Sequence, residues 1–86
     1  MAKVIIYSKD HCPYCDHAKQ LLDKKNVAYE EIRIDVDLAQ AKVMMDLTQR
    51  KTVPQIVING KPIGGFDDLW ALEQAGSLDA LLKDGN

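Results

Sequence analysis

The sequence predicts an α/β protein: a small mixed sheet with helices on both faces. Three observations carry that expectation. Val4-Ile5-Ile6-Tyr7 is a near-continuous apolar run, the pattern of a central strand covered on both sides. Apolar residues at helical spacing follow it, and then a second β-prone segment, which makes a parallel β-α-β crossover. Farther on, Asn59-Gly60 separates two short β-prone runs, the strongest short hairpin signal. With 86 residues the chain has room for one domain and no second.

The elements follow in order. Residues 3–8 form the first strand, and 9–12 a polar turn. Pro13 suits the first turn of a helix, where a missing N–H is no loss. Tyr14, Ala18, Leu21 and Leu22 recur at helical spacing to about residue 25, and Asn26 ends the helix. Residues 27–35 read as the second strand, with Ile32 and Ile34 on one face and Glu31 and Arg33 on the other. Asp37 can cap a helix running to Gln49, whose inward stripe is Leu38, Ala41, Met45 and Thr48 with Met44 beside it. Gln55–Ile58 is the third strand. Lys61-Pro62-Ile63 is the fourth, placed at an edge because Pro62 cannot donate to a ladder. Gly64-Gly65 breaks the chain, and Asp67-Asp68 open a helix with Leu69, Trp70 and Leu72 that ends at Gly76. Ser77 can cap a last short helix bearing Leu78, Leu81 and Leu82, and residues 84–86 should fray.

Composition excludes several function classes. At 47% hydrophobic and 28% charged the chain is ordinary globular protein, neither disordered nor fibrous. Eleven Lys+Arg against thirteen Asp+Glu give a net charge of −2, without the basic excess that sequence-independent nucleic-acid binding needs. No apolar run approaches the roughly 18–20 residues that span a bilayer. The first β-prone run is too short and wrongly flanked for a secretory signal, so the expected location is the cytoplasm.

The chemistry concentrates in Cys12-Pro13-Tyr14-Cys15. In a reducing compartment a lone pair at this spacing is chemical rather than structural. Its placement after a strand and at a helix start sets the unpaired N–H groups and the positive dipole end beside Cys12. Lys9 adds charge nearby. A depressed Cys12 pKa and a usable thiolate are expected, with Cys15 one turn in, more buried and higher. The competing reading is half of a zinc site. Structural zinc needs four ligands, and only His11 and His17 remain, too close to the motif to close a tetrahedron. No metal is expected, and disulfide exchange needs no histidine base once the thiolate exists.

Two further loops bear on the site. Pro54 in Thr52-Val53-Pro54 either marks a strand start or, if its bond is cis, turns the Val53 backbone towards the cysteines. Gly64-Gly65-Phe66-Asp67-Asp68 either caps a helix through Asp67 or lets a ligand approach closely, its carboxylate on helix-start N–H groups and its ammonium on an aspartate.

Taken together, Cys-Pro-Tyr-Cys after a first strand, Thr-Val-Pro and Gly-Gly-x-Asp-Asp make the chain resemble a glutaredoxin of the short bacterial dithiol type, over about residues 3–83. The resemblance implies one glutaredoxin domain over 1–86 and a thioredoxin-like fold with a four-stranded mixed sheet, order 2-1-3-4, flanked by helices, with Pro54 cis. It implies glutathione-dependent reduction of protein disulfides and glutathione mixed disulfides, with Cys12 as nucleophile and Cys15 as resolving thiol. Glutathione would be the reductant. Val53 would pair with its cysteinyl backbone, and Lys9 would approach its glycyl carboxylate. Phe66 and Asp67 would give N–H groups to its γ-glutamyl carboxylate, and Asp68 or Asp67 would hold its ammonium. Tyr14, Thr52 and Pro54 would line the groove. Implied partners are glutathione and disulfide-bearing or glutathionylated proteins, ribonucleotide reductase among them, met by a monomer.

Departures from the family pattern matter too. Asp10-His11 stand where small hydroxyl residues are frequent, and Asp10 can offset Lys9. Phe66 replaces a third cysteine found in some relatives. Gln49-Arg50-Lys51 reads either as a solvated helix end or as a second carboxylate contact. Two rival functions remain. A redoxin served by thioredoxin reductase would have no use for the Gly64 to Asp68 loop. An iron–sulfur carrier would share a cluster between two monomers through Cys12 and two glutathiones, and Pro13 argues against it.

Overall fold

Val4–Ser8 forms β1, the strand on which everything else is hung. It pairs in parallel with β2, Glu30–Arg33, and antiparallel with β3, Gln55–Ile58. Lys61–Gly64 forms β4, antiparallel to β3 at the edge. The strand order is therefore β2-β1-β3-β4, a mixed four-stranded sheet. The helices are α1 (Pro13–Lys24), α2 (Leu38–Thr48), α3 (Phe66–Gln74) and α4 (Leu78–Lys83). The computed structural model describes residues 2–83, so the expected fraying of 84–86 lies outside the described residues.

Strand alternation sorts the core into two layers. Val4, Ile6, Ile56 and Ile58 meet Ala18, Leu21 and Leu22 of α1, Leu69 of α3, and Leu78 and Leu82 of α4. On the opposite face Tyr7 and Val57 meet Met44 of α2, with Ile5, Ile32, Ile34 and Val53 around them. Each fully buried aliphatic side chain contributes on the order of 1.5–3 kcal/mol. Truncating Leu22, which has no exposed surface, should cost about 2–5 kcal/mol.

Three expectations need correction. The second strand covers Glu30–Arg33, not 27–35, and at its carboxyl end it lasts only as long as its partner. β1 ends at Ser8, whose carbonyl takes a last bond from Ile34 N–H at 2.9 Å before the chain turns. In α2 the inward residue is Met44, flanked by half-buried Ala41 and Thr48. Leu38 is 74% exposed and Met45 is also exposed. Asp37 occupies the N-cap of α2 with an extended backbone, yet its side chain makes no cap hydrogen bond.

The hairpin turn forms as the dipeptide requires, with φ of +53° at Asn59 and +80° at Gly60. Asn59 ties it to the start of β1: Lys3 N–H donates to Asn59 Oδ1 at 2.9 Å, and Asn59 N–H donates to the Lys3 carbonyl at 2.8 Å. Asn26 ends the first helical segment with φ +56°. Among the described residues no helix is long and apolar enough to cross a membrane.

Candidate active site

The carboxyl end of β1 delivers the chain straight into the start of α1. Cys12 is the N-cap, extended at φ −121° and ψ 95°, and Pro13 is the first helical residue. The Cys15 N–H, third in the helix, donates to Cys12 Sγ at 3.2 Å. Sulfur thus takes the place that a Ser or Asp oxygen takes in ordinary caps. The two sulfurs lie at disulfide distance, with the Cα atoms 5.2 Å apart. Cys12 keeps 8% of its surface and Cys15 only 1%. Both residues are buried, Cys15 the more deeply.

The loop before Cys12 is held from below. Asp35 receives two guanidinium bonds from Arg33, at 2.8 and 2.7 Å, and the Asp10 N–H at 3.1 Å. The Arg33 bonds first, and the Asp10 N–H after them, hold the Asp35 carboxyl well below the ordinary carboxylate range. His11 sits at φ +54° with its N–H on Asp10 Oδ1. At the end of β1 the buried Ser8 hydroxyl donates to Glu31 Oε2 at 2.6 Å, and Lys19 donates to the same oxygen at 3.0 Å. The Ser8 bond, ahead of the Lys19 bond and charge, lowers the Glu31 pKa. Glu31 fastens α1 to the end of the strand that feeds it.

Val53-Pro54 is cis, and the Val53 carbonyl lies 3.9 Å from Cys12 Sγ. Across the groove, α3 starts at Phe66 with Gly65 as N-cap. Asp68, and not Asp67, closes this helix start: its Oδ2 accepts the Gly65 N–H at 3.0 Å and an Arg50 Nη1 bond at 3.0 Å. The Arg50 bond first, then the Gly65 N–H, lowers the Asp68 pKa. Gly64 has φ +119°, and a Cβ there would collide with the Asp68 carboxylate. This glycine is required twice, by its backbone and by its neighbour.

Between these loops lies a groove of about 250 Å³. Tyr14, Thr52, Val53, Pro54, Phe66, Asp67 and Asp68, all named from the sequence, line it together. Lys9 does not line it; it is exposed, three residues before Cys12. Arg50, one of the residues with two open readings, does line it. Gly65, expected within the 64–68 loop, lines it too, whereas Gln55 was not anticipated. The signal for Gln55 was present: an amide heads an otherwise apolar strand. It is almost wholly buried, its Nε2 donates to Thr52 Oγ1 at 3.3 Å, and its Oε1 has no hydrogen-bond partner among the described residues. Among those residues no group of three or more His, Cys, Asp or Glu is arranged to hold a metal ion.

Two sulfurs that can close and reopen a bond within one helical turn carry out thiol–disulfide exchange. On this sheet order, with this loop set, they define an oxidoreductase of thioredoxin-like fold. The family model described as Glutaredoxin matches residues 4–63. The chain is 51% identical over 83 residues to Glutaredoxin 3 of Escherichia coli strain K12, covering 96% of this chain and 100% of that protein. It superposes on the solution structure of glutaredoxin from Brucella melitensis with a TM-score of 0.84 at 44% identity, covering 96% of this chain and 90% of that one. The crystal structure of the buckwheat glutaredoxin–glutathione complex matches with a TM-score of 0.87 at 30% identity, over 95% of this chain and 77% of that one. The chain belongs to the glutaredoxin family and is a thiol–disulfide oxidoreductase.

Proposed function

We propose that this protein uses glutathione to reduce protein disulfides and glutathione mixed disulfides, with Cys12 attacking and Cys15 resolving. The observation that carries the reading is the unequal setting of the two sulfurs. Cys12 Sγ caps the start of α1 and its residue keeps 8% of its surface, while Cys15 keeps only 1%. In the reduced enzyme the Cys15 N–H and the positive helix end favour the thiolate at Cys12.

In the monothiol route the Cys12 thiolate attacks the glutathione sulfur of a mixed disulfide. A bond forms between Cys12 and glutathione, and the substrate cysteine leaves as a thiolate. A second glutathione thiolate then attacks the glutathione sulfur on Cys12, giving glutathione disulfide and free Cys12. In the dithiol route Cys12 attacks a protein disulfide, and Cys15 attacks Cys12 Sγ to release the substrate's second thiolate. Two glutathiones return the Cys12–Cys15 disulfide to the dithiol.

Glutathione carries two carboxylates and an ammonium, and the groove has matching groups. The first N–H groups of α3, those of Phe66 and Asp67, have no intrahelical acceptor and suit the γ-glutamyl carboxylate. Asp68 Oδ2 already has two partners, which leaves Oδ1 for the ammonium. Val53 offers backbone to the cysteinyl residue, with Tyr14, Thr52 and Pro54 as walls. Arg50 lines the groove and can serve the glycyl carboxylate alongside Lys9. That the buckwheat relative was solved with glutathione supports the choice of ligand. The setting is a single-domain monomer of the cytoplasm that needs no metal. Its partners are glutathionylated and disulfide-bearing proteins, of which ribonucleotide reductase is one.

Steady-state turnover of a glutathionylated peptide with glutathione tests this directly. Asp68→Ala should raise KM about tenfold or more for a glutathione mixed disulfide, since bonds to charged groups contribute about 1.5–3 kcal/mol. A mixed disulfide lacking the γ-glutamyl group should be hardly affected. Equal loss on both substrates, or none on either, would reduce the 64–68 loop to a helix cap.

A further inference from the structure

The groove does not end at glutathione. From Tyr14 an aromatic shelf runs outward across α1 and α3. Tyr14 stacks on Phe66 with centroids 6.2 Å apart, and Phe66 stacks on Trp70 at 6.3 Å. His17 fills the angle, 6.0 Å from Tyr14 and 5.7 Å from Phe66. Tyr14 is 60% exposed and Trp70 46%. Beside Trp70 lies a slot of about 160 Å³, floored by Leu21 and bordered by His17 and Lys24. No carboxylate lines it, and Lys24 makes no ion pair among the described residues. Phe66 lines both the groove and the slot, so the two adjoin at its ring.

A contiguous exposed aromatic surface next to a reactive sulfur marks an interaction site. Tyr and Trp give large contact area at small entropic cost, and here ring stacking already fixes them. Resting on the glutathione reading above, we propose that this shelf receives the polypeptide that flanks the substrate's reactive cysteine. It favours a segment with one apolar side chain for the slot and a neighbouring carboxylate for Lys24. The two ring steps from Tyr14 to Trp70 are a reach that about three or four extended residues span, at roughly 3.3 Å each. The chemistry stays as written: the glutathione–substrate S–S bond breaks, the Cys12–glutathione bond forms, and the substrate thiolate departs along the shelf.

The test uses glutathionylated peptides with Leu-Glu placed about three residues before or after the cysteine, and the same peptides with Leu-Lys or Gly-Ser. The small mixed disulfide of glutathione and 2-mercaptoethanol serves as the reference substrate. Trp70→Ala should lower kcat/KM for the better Leu-Glu peptide about tenfold, as for truncation of a central aromatic anchor. Lys24→Glu should lower it several-fold and raise turnover of the Leu-Lys peptide. Both variants should treat the small substrate as the wild type does. Equal loss on peptide and small substrate, or Leu-Glu and Gly-Ser peptides turned over alike by the wild type, would overturn the docking surface. Failure of the wild type on the small substrate would instead overturn the glutathione reading itself.

Discussion

The two helix starts that face the groove use the same physics to different ends. A reciprocal capping pair has two halves: the N-cap side chain accepts the N3 N–H, and the N3 side chain accepts the N-cap N–H. At α1 only the first half is made, by Cys12 Sγ on the Cys15 N–H. At α3 only the second is made, by Asp68 on the Gly65 N–H. Pro13 has no N–H and the Cys15 N–H is engaged, so α1 directs its positive end at one sulfur. Gly65 has no side chain to cover the N–H groups after it, so α3 leaves them open to an incoming carboxylate. One start favours a thiolate and the other an anion from outside. At α1 the chemistry sits on the half of the cap that is made, and under the proposed function the ligand at α3 takes the half that is missing.

The comparison can be broken at α1 first, with the largest effect. Cys12→Ser replaces sulfur by a hydroxyl that caps well, so stability to urea should stay within about 1 kcal/mol of wild type. Turnover should vanish, because Ser is no nucleophile for disulfides at neutral pH. Retained turnover would detach the sulfur from the chemistry.

At α3 the next effect is conformational. Gly64→Ala should destabilise the fold by about 2 kcal/mol or more, from its positive φ and its collision with Asp68. Adding Asp68→Ala removes the two carboxylate contacts and leaves only the 3.0 Å approach to the Cβ, so the double variant should lose less than the two single losses combined. Strict additivity in urea titrations would separate Gly64 from the cap. Asp68→Ala alone should cost about 1 kcal/mol, the usual range for a lost cap.

The smallest effect is electrostatic. Asp68 titrates below its ordinary value of 3.8, chiefly through Arg50. Its contribution is therefore full above that ordinary value and is lost as pH falls through the lower folded one. Asp68→Asn can still accept the Gly65 N–H but carries no charge. Between about pH 5 and about pH 3 it should lose less stability than wild type, by a modest and salt-sensitive margin, since Asp68 is half-exposed. A steeper acid loss in Asp68→Asn would reverse the assigned sign.

Much of this was legible in the chain. Val4-Ile5-Ile6-Tyr7, the helix-spaced Ala18, Leu21 and Leu22, and Asn59-Gly60 each state a local preference that tertiary packing keeps. What was not legible depended on a partner. The carboxyl end of β2 is set by where β1 stops, and nothing in residues 27–35 encodes that. In α2, Leu38 with Met45 and Ala41 with Met44 and Thr48 are both helically spaced, and only the sheet decides which set turns inward. At the site, the cysteines and the two loops could be named because each carries an unusual residue type, and Tyr14 was named as a groove residue through the family resemblance. Asp68 as the closing side chain of α3, and Arg50 as its partner, could not. Both need the 49–51 helix end and the 64–68 loop to be seen side by side.

The division of labour between the sulfurs is tested most directly with Cys15→Ser, given a glutathionylated peptide and glutathione, with intermediates trapped and weighed by mass spectrometry. The expected result is continued deglutathionylation, a single glutathione on Cys12, and lost reduction of protein disulfides that need an internal second thiol. A Cys15→Ser protein inactive towards the glutathionylated peptide, with Cys12→Ser still active, would contradict it.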